Sequence, residues 1–131
     1  MKFKPGDTAS LSKTISDDDI RAFADVTGDR NPLHLDEEFA RQTRFGRRIA
    51  HGMLCASLIS AVIANEMPGD GSIYLGQTFK FVAPVFLGDT VTARVTIIQI
   101  REDKPIVKLE TVCTNQRDEV VIKGEATVLV S

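Results

Sequence analysis

The sequence has few side chains that exchange protons near neutral pH or bind transition metals. It contains two histidines, two cysteines and no tryptophan in 131 residues. Cys55 and Cys113 lie in apolar stretches and show no Cys-x-x-Cys spacing, so we expect reduced thiols and no cysteine-based metal site. His34 and His51 therefore head the short list of candidate functional side chains.

A strong charge of either sign is also missing. Sixteen Lys and Arg residues face eighteen Asp and Glu residues, and no run of five basic residues occurs, which excludes the usual footprint of a nucleic-acid partner. No apolar run reaches the ~20 residues that span a bilayer. The polar residues that follow Met1 include no apolar signal core, so we expect a cytoplasmic protein. Phosphate-binding GxGxxG and GxxxxGK[ST] loops are absent.

The apolar content, 43% of the chain, is enough for one core, and we expect a single domain over residues 1–131. A ragged first strand is expected near residues 9–15. Ser16 followed by three aspartates predicts a helix start, and Gly28 predicts its end. A short helix is expected at residues 36–42.

The run at residues 53–64 is apolar on nearly every side, which predicts a helix buried in the middle of the fold. Alternating apolar residues then predict strands near residues 73–81, 91–97, 107–113 and 120–130. The short turns between them favour antiparallel neighbours. The pattern predicts an α+β fold, in which a five-stranded antiparallel sheet wraps a long central helix.

Asp29 and His34 lie five residues apart across an Asn31-Pro32 turn. Pro32 ends any preceding helix and holds Asn31 extended, so both side chains could point at one spot. Taken alone, Asp29 is more often a turn or cap residue, and a lone histidine is more often structural than catalytic. We interpret His51 as a structural group that bonds to loop backbone.

Asp29, His34 and His51 also form, on paper, the two-histidine, one-carboxylate set of some metal centres. Acid–base chemistry uses the same side chains without an oxidant or a redox partner, so we expect no metal and no other cofactor. Gly52 follows His51 at the predicted helix start, where unpaired backbone N–H groups favour a negatively charged oxygen.

Several runs of residues resemble a known family across nearly the whole chain. They are TGDRNPLH at 27–34, AHGML at 50–54, ASLIS at 56–60, GSIYLGQ at 71–77, PVFLGD at 84–89 and REDKP at 101–105. In these runs the sequence resembles the MaoC-like (R)-specific enoyl-CoA hydratases, also called the hydratase 2 family. The likeness is greatest to the small hydratases that supply polyhydroxyalkanoate synthesis. This resemblance implies a hot dog fold.

The resemblance also implies a function and a set of site residues. It implies reversible syn hydration of trans-2-enoyl-CoA to (R)-3-hydroxyacyl-CoA, with Asp29 and His34 as the catalytic pair. Gly52 would bind the thioester oxygen through its backbone, with Asn31 and Ser60 also assigned to substrate binding. Bonding back to the helix is the alternative role for Ser57 and Ser60.

Two other functions and one further site remain open. Hot dog thioesterases generally carry a carboxylate on or near the central helix, where this chain has none before Glu66. A non-catalytic acyl-binding module is the other alternative. Arg44, Arg47 and Arg48 could bind the phosphates of coenzyme A or form a solvated charged face.

A homodimer is expected from the same elements. One twisted sheet can cover only one side of a central helix, and long edge strands need pairing or cover. A twofold dimer would cover the other side of the helix and pair the edge strands. The hot dog resemblance implies an acyl slot near the subunit boundary.

Overall fold

Five strands and four helices form the described part of the chain, residues 2–130 of a computed structural model. In chain order they are β1 (Thr8–Thr14), α1 (Asp17–Thr27), α2 (Pro32–Leu35), α3 (Glu37–Arg41), α4 (Gly52–Asn65), β2 (Ile73–Phe81), β3 (Thr90–Ile100), β4 (Ile106–Thr114) and β5 (Val120–Leu129). The predicted α+β arrangement is confirmed.

All strands belong to one antiparallel sheet with the order β1-β3-β4-β5-β2. The expected neighbours β3 with β4 and β4 with β5 are confirmed. β2 pairs with β5 instead of β3, so the expectation that it would neighbour the next strand in sequence is wrong. Residues 82–89 lead from the β2 edge across to β3, which lies next to the other edge strand, β1. This crossing segment is held by a bridge between Ile49 and Phe86 and by the bond from Gly88 N–H to the Ile15 carbonyl.

α4 packs on one face of this sheet. Its inward residues Cys55, Ile59 and Val62 are fully buried against residues such as Val95 and Leu109. The expectation of protein on every side is wrong for the single chain, because one side of α4 is exposed along its length. That side carries Met53, Ser57, Ser60 and Ala64.

Local signals set the helix ends before the site. Ser16 and Asp19 form a reciprocal capping box at the start of α1, and Gly28 ends it in the left-handed conformation with φ of 80°. Pro32 lies at the first position of α2, where its missing N–H costs nothing. The predicted loop after Gly28 therefore contains one short helical turn.

None of the helices in residues 2–130 combines the length and the apolar character needed to cross a membrane.

Candidate active site

The loop after α1 holds Asp29 in a defined position. The Asp29 N–H donates to Thr27 Oγ1 over 3.1 Å, and Asp29 Oδ1 accepts from the Asn31 N–H over 3.3 Å. Asp29 is otherwise exposed. Its carboxylate therefore stabilises the turn through the Asn31 N–H and also lines the adjoining cavity. The structural and functional roles considered for this residue are compatible.

His34 is buried, and one ring nitrogen is committed to the backbone. Its Nδ1 lies 2.8 Å from the Ile49 carbonyl oxygen. Because a carbonyl only accepts, this contact assigns the proton of the neutral ring to Nδ1. Nε2 then keeps a lone pair, and His34 lines the same cavity as Asp29. The ring is therefore prepared to take a proton at Nε2.

His51 supports both members of this pair. Its Nε2–H donates to the Asp29 carbonyl oxygen over 3.0 Å, and its ring stacks on the His34 ring with centroids 4.0 Å apart. This contact confirms the expectation that His51 bonds to loop backbone. Burial, followed by the nearby His34, lowers the pKa of His51 below 6.5 against the opposing effect of the Asp29 carbonyl. His51 is therefore neutral, and its contacts hold the Asp29 loop and the His34 ring in position.

His51 also carries the one orphaned polar atom among the buried side chains of residues 2–130. Its Nδ1 has no hydrogen-bond partner, and the candidate metal-ligand atoms of Asp29, His34 and His51 lie within 4.8 Å of one another. The two rings are tilted by only 32°. One nitrogen of each ring already contacts a backbone carbonyl, that of Ile49 for His34 and that of Asp29 for His51, so each ring has only its other nitrogen for further chemistry.

Gly52 begins α4 beside these three side chains. The N–H groups of Leu54 and Cys55 return to the His51 carbonyl, whereas the N–H of Gly52 belongs to the first turn, which has no intrahelical acceptor. A Cβ at Gly52 would lie 2.8 Å from Cε1 of Phe81. The absence of a side chain therefore lets the aromatic ring of β2 lie directly against the helix start.

A cavity of about 500 Å³ joins these groups. Asp29, His34, Arg44, His51 and Gly52 contribute its polar part. The remainder is mostly apolar and comes from Phe45, Ile49, Ala50, Met53, Cys55, Phe81, Val82, Ala83, Pro84, Val85 and Ile122. Residues 82–85 belong to the crossing segment that the sequence pattern missed. An apolar slot beside two proton carriers and a helix N-terminus suits an acyl thioester.

A second groove of about 400 Å³ continues on the exposed side of α4. Met53 lines both spaces, and Ser60, Tyr74, Gln77 and Phe79 line only the groove. The Tyr74 hydroxyl donates to Gln77 Oε1 over 2.8 Å, and burial raises the pKa of Tyr74 to about 12. This groove is open along β2 in the single chain.

The structure brings together three of the five site residues expected from the sequence. Asp29, His34 and Gly52 share the cavity, whereas Ser60 lies in the groove and Asn31 caps α2 by accepting from the Leu33 N–H over 3.1 Å. The substrate-binding roles of Asn31 and Ser60 stay predictions. Ser57 Oγ donates to the Leu54 carbonyl in its own helix, as expected.

Arg48 is a site-supporting residue whose role sequence reasoning missed. Its Nε–H donates to the His34 carbonyl over 2.7 Å, and Nη2 pairs with Asp17 at the start of α1. With 9% exposure, Arg48 is neither a phosphate ligand nor part of a solvated face. The only sequence signal is its place directly before the apolar Ile49-Ala50 pair.

Comparisons with known proteins agree with this geometry. The MaoC like domain family matches residues 3–120. An (R)-specific enoyl-CoA hydratase of Rhodospirillum rubrum is 52% identical over 127 residues, which cover 97% of this chain and 88% of that protein. A mitochondrial 3-hydroxyacyl-[acyl-carrier-protein] dehydratase of Arabidopsis thaliana is 41% identical over 96% of this chain and 76% of its own length.

A solved structure is also similar over the whole chain. It is an (R)-hydratase from Aeromonas caviae described as involved in PHA biosynthesis, with a TM-score of 0.97 and 47% identity over 99% of this chain and 98% of that chain. The match confirms the hot dog fold that the resemblance implied.

Proposed function

Because the chain belongs to the MaoC-like domain family, we propose that it is an (R)-specific enoyl-CoA hydratase. It adds water reversibly and with syn geometry to a trans-2-enoyl thioester, giving the (R)-3-hydroxyacyl thioester. The observation that carries this proposal is the meeting of Asp29, His34 and the Gly52 helix start in one apolar cavity.

The reaction needs two proton carriers on one face of the substrate. A water held between Asp29 and His34 loses a proton to one of them and delivers its hydroxyl to C3, while C2 receives a proton from the pair. His34 Nε2 is the available nitrogen, because Nδ1 is bonded to the Ile49 carbonyl. Both carriers on one side of the double bond explain the syn outcome.

Gly52 stabilises the charge that develops during this addition. As C3 is attacked, electron density moves to the thioester oxygen, and the Gly52 N–H donates to that oxygen. The N-terminal end of the 14-residue α4 adds a favourable dipole. The role of Phe81, which contacts the Gly52 position, is to keep water away from this donor.

Thioester hydrolysis is the second function to weigh, and the helix argues against it. The first carboxylate after the start of α4 is Glu66, at the opposite end from His51. A carboxylate there is about 20 Å from Gly52 along the helix axis, given a rise of ~1.5 Å per residue. It cannot attack a carbonyl bound at Gly52.

One assay separates hydration, hydrolysis and binding alone. Incubation with crotonyl-CoA is expected to remove the conjugated enoyl absorbance without releasing a thiol. Release of free thiol would establish hydrolysis instead, and neither change would leave an acyl-binding module. Chiral analysis of the 3-hydroxybutyryl product is expected to give the (R) form, the kind of product that polyhydroxyalkanoate synthesis consumes.

The active form in this proposal is a homodimer that acts in the cytoplasm. β2 is an edge strand, and Ile73, Leu75 and Phe81 on or at the end of it are about half exposed. The exposed side of α4 adjoins this strand across the groove. Pairing of β2 with its copy would cover both. Cys55 and Cys113 are free thiols, as a reducing compartment requires.

A further inference from the structure

We infer that the ion pair between Asp17 and Arg48 is a positioning contact for His34, and that it acts on kcat through the placement of the His34 ring. The inference rests on the proposed function and adds two residues that lie outside the cavity lining. Arg48 joins the two ends of the contact. Its Nε–H donates to the His34 carbonyl over 2.7 Å, and its Nη2 pairs with Asp17 Oδ1 at the start of α1.

The helix that carries His34 is too short to fix its own position. α2 consists of the four residues Pro32–Leu35, and the last four carbonyls of a helix have no intrahelical donor. The His34 carbonyl is one of these, and Arg48 donates to it. Because the guanidinium is charged and only 9% exposed, this hydrogen bond is of the stronger, charge-assisted kind, and water competes with it little.

Two consecutive residues hold the backbone and the ring of His34. The Arg48 side chain binds the His34 carbonyl, and the Ile49 carbonyl accepts from His34 Nδ1–H over 2.8 Å. Ile49 is itself fixed by its bridge to Phe86 in the crossing segment. A shift of the His34 backbone relative to Ile49 therefore turns the ring and moves Nε2 away from the substrate. Arg48 prevents this shift.

Asp17 fixes the other end of the Arg48 side chain. Hydrogen bonds from Arg21 and Arg48 lower the pKa of Asp17, and the N-terminal end of α1 also favours its negative charge. A buried guanidinium that loses its counter-ion is strongly destabilised. The charged carboxylate therefore sets the direction in which the Arg48 Nε–H points.

Steady-state kinetics with crotonyl-CoA test this contact in Arg48→Met, which keeps an unbranched side chain without the charge or the donors. We expect kcat to fall about tenfold with little change in KM, since a misplacement of about 1 Å can cost ~100-fold in rate. Arg21→Met is the matched control. Arg21 pairs with the same Asp17 carboxylate over 2.9 Å from an exposed side chain, so this variant is expected to keep the wild-type kcat.

Two further variants separate positioning from folding. Arg48→Lys is expected to recover part of the lost kcat, because an ammonium group donates to the His34 carbonyl or to Asp17 but does not form the planar fork that joins them. Asp17→Asn keeps an amide oxygen as an acceptor for Arg48 and removes the charge. It is expected to lower kcat in the same direction and by less, and it carries the test if Arg48→Met does not fold.

A second readout does not depend on activity. The chain has only two histidines, so ¹⁵N-labelled histidine gives the signals of two rings, and His51→Gln assigns them. Above the ordinary histidine pKa of ~6.5, we expect His34 to carry its proton on Nδ1 and His51 on Nε2. Arg48→Met is expected to move His34 toward a mixture of the two tautomers and to leave His51 unchanged.

The contrary outcomes are distinct. Unchanged His34 signals in Arg48→Met overturn the inference whatever the rate. An equal loss of kcat in Arg21→Met also overturns it, because α1 would then act without Arg48. A rise in KM at constant kcat overturns it in favour of a substrate contact. If wild type does not hydrate crotonyl-CoA, the proposed function fails, and the His34 tautomer still decides whether Arg48 positions the ring.

Discussion

His34 and His51 have the same ring but different roles, because their nitrogens meet different partners. His34 gives Nδ1–H to a carbonyl and keeps Nε2 beside Asp29 in the cavity. His51 gives Nε2–H to the Asp29 carbonyl and leaves Nδ1 buried without a partner. One histidine can therefore exchange protons with a substrate, and the other fixes the loop that presents the carboxylate.

Removal of either proton carrier should stop turnover without unfolding the protein. Asp29→Asn and His34→Gln are expected to lower kcat for crotonyl-CoA hydration by at least ~100-fold, the usual lower bound for a positioned acid or base. Asp25→Asn is the matched control, since this exposed carboxylate lies on α1 and pairs with Arg30. Circular dichroism checks folding, and wild-type turnover in either site variant would sink the assignment.

The lowered pKa of His51 makes stability depend on pH in a defined window. Its pKa is lowered from 6.5 by burial, so below pH 6.5 the unfolded chain takes up a proton that the folded protein excludes. Stability is therefore expected to fall as the pH drops below 6.5. Carboxylates with lowered pKa, such as Asp17 and Asp19, lose their contribution only near and below pH 4.

His51→Gln isolates this effect, because an amide can still donate to the Asp29 carbonyl but cannot ionise in this range. Thermal unfolding is measured at about pH 5.5 and about pH 7.5, one unit to either side of the reference pKa of ~6.5. The drop in Tm at the lower pH should be smaller in His51→Gln than in wild type. Equal drops in the two proteins would show that His51 does not titrate on unfolding.

The residues of the site were more predictable from sequence than their contacts. Asp29, His34 and Gly52 follow from a turn, a spacing and a helix start, which are local features, together with the family resemblance. The role of Arg48 does not follow from local features, because it depends on contact with Asp17, 31 residues away in sequence. The place of Ser60 also depends on where β2 lies, which no local pattern specifies.

The strands were predictable for a similar reason, and the strand order was not. Alternation of apolar residues marks each strand locally, and short turns pair β3 with β4 and β4 with β5. The position of β2 beside β5 depends on a crossing segment fixed by distant contacts to Ile15 and Ile49. Gly124 shows how tight the resulting strand pair is.

Gly124→Ala should break the pairing of β5 with β2. A Cβ at Gly124 would lie 1.8 Å from the Thr78 carbonyl oxygen, a backbone atom that cannot rotate away. We expect a loss of about 3 kcal/mol in the free energy of unfolding, near the upper end for an overpacked site. Urea denaturation measures it.

Gly76→Ala is the matched control for this change. It adds the same methyl group to β2, where no atom lies within 4 Å and φ is not positive. Its unfolding free energy should stay within about 0.5 kcal/mol of wild type. Similar losses in both variants would mean that the close approach at Thr78 is not what makes Gly124 necessary.

At the level of the whole molecule, the single chain leaves an incomplete surface. The exposed side of α4, the groove and the free edge of β2 are contiguous, and Met53, Leu75 and Phe81 on them are about half exposed. An unpaired edge strand beside apolar surface invites another strand. A second copy meets this need by twofold symmetry, since the same edge can pair with itself in antiparallel fashion.

Leu75→Lys is therefore expected to convert the proposed homodimer into monomers. A lysine at an interface on β2 would place two like charges close to the twofold axis and leave each without a partner. Light scattering should show a fall from about twice 14.4 kDa to 14.4 kDa, with a loss of crotonyl-CoA hydration in the monomer. Ile98→Lys is the control, because Ile98 is 46% exposed on β3, which is paired on both sides.

A wild-type protein that is fully active as a monomer at micromolar concentration would contradict this assembly, and the exposed side of α4 would then need another cover.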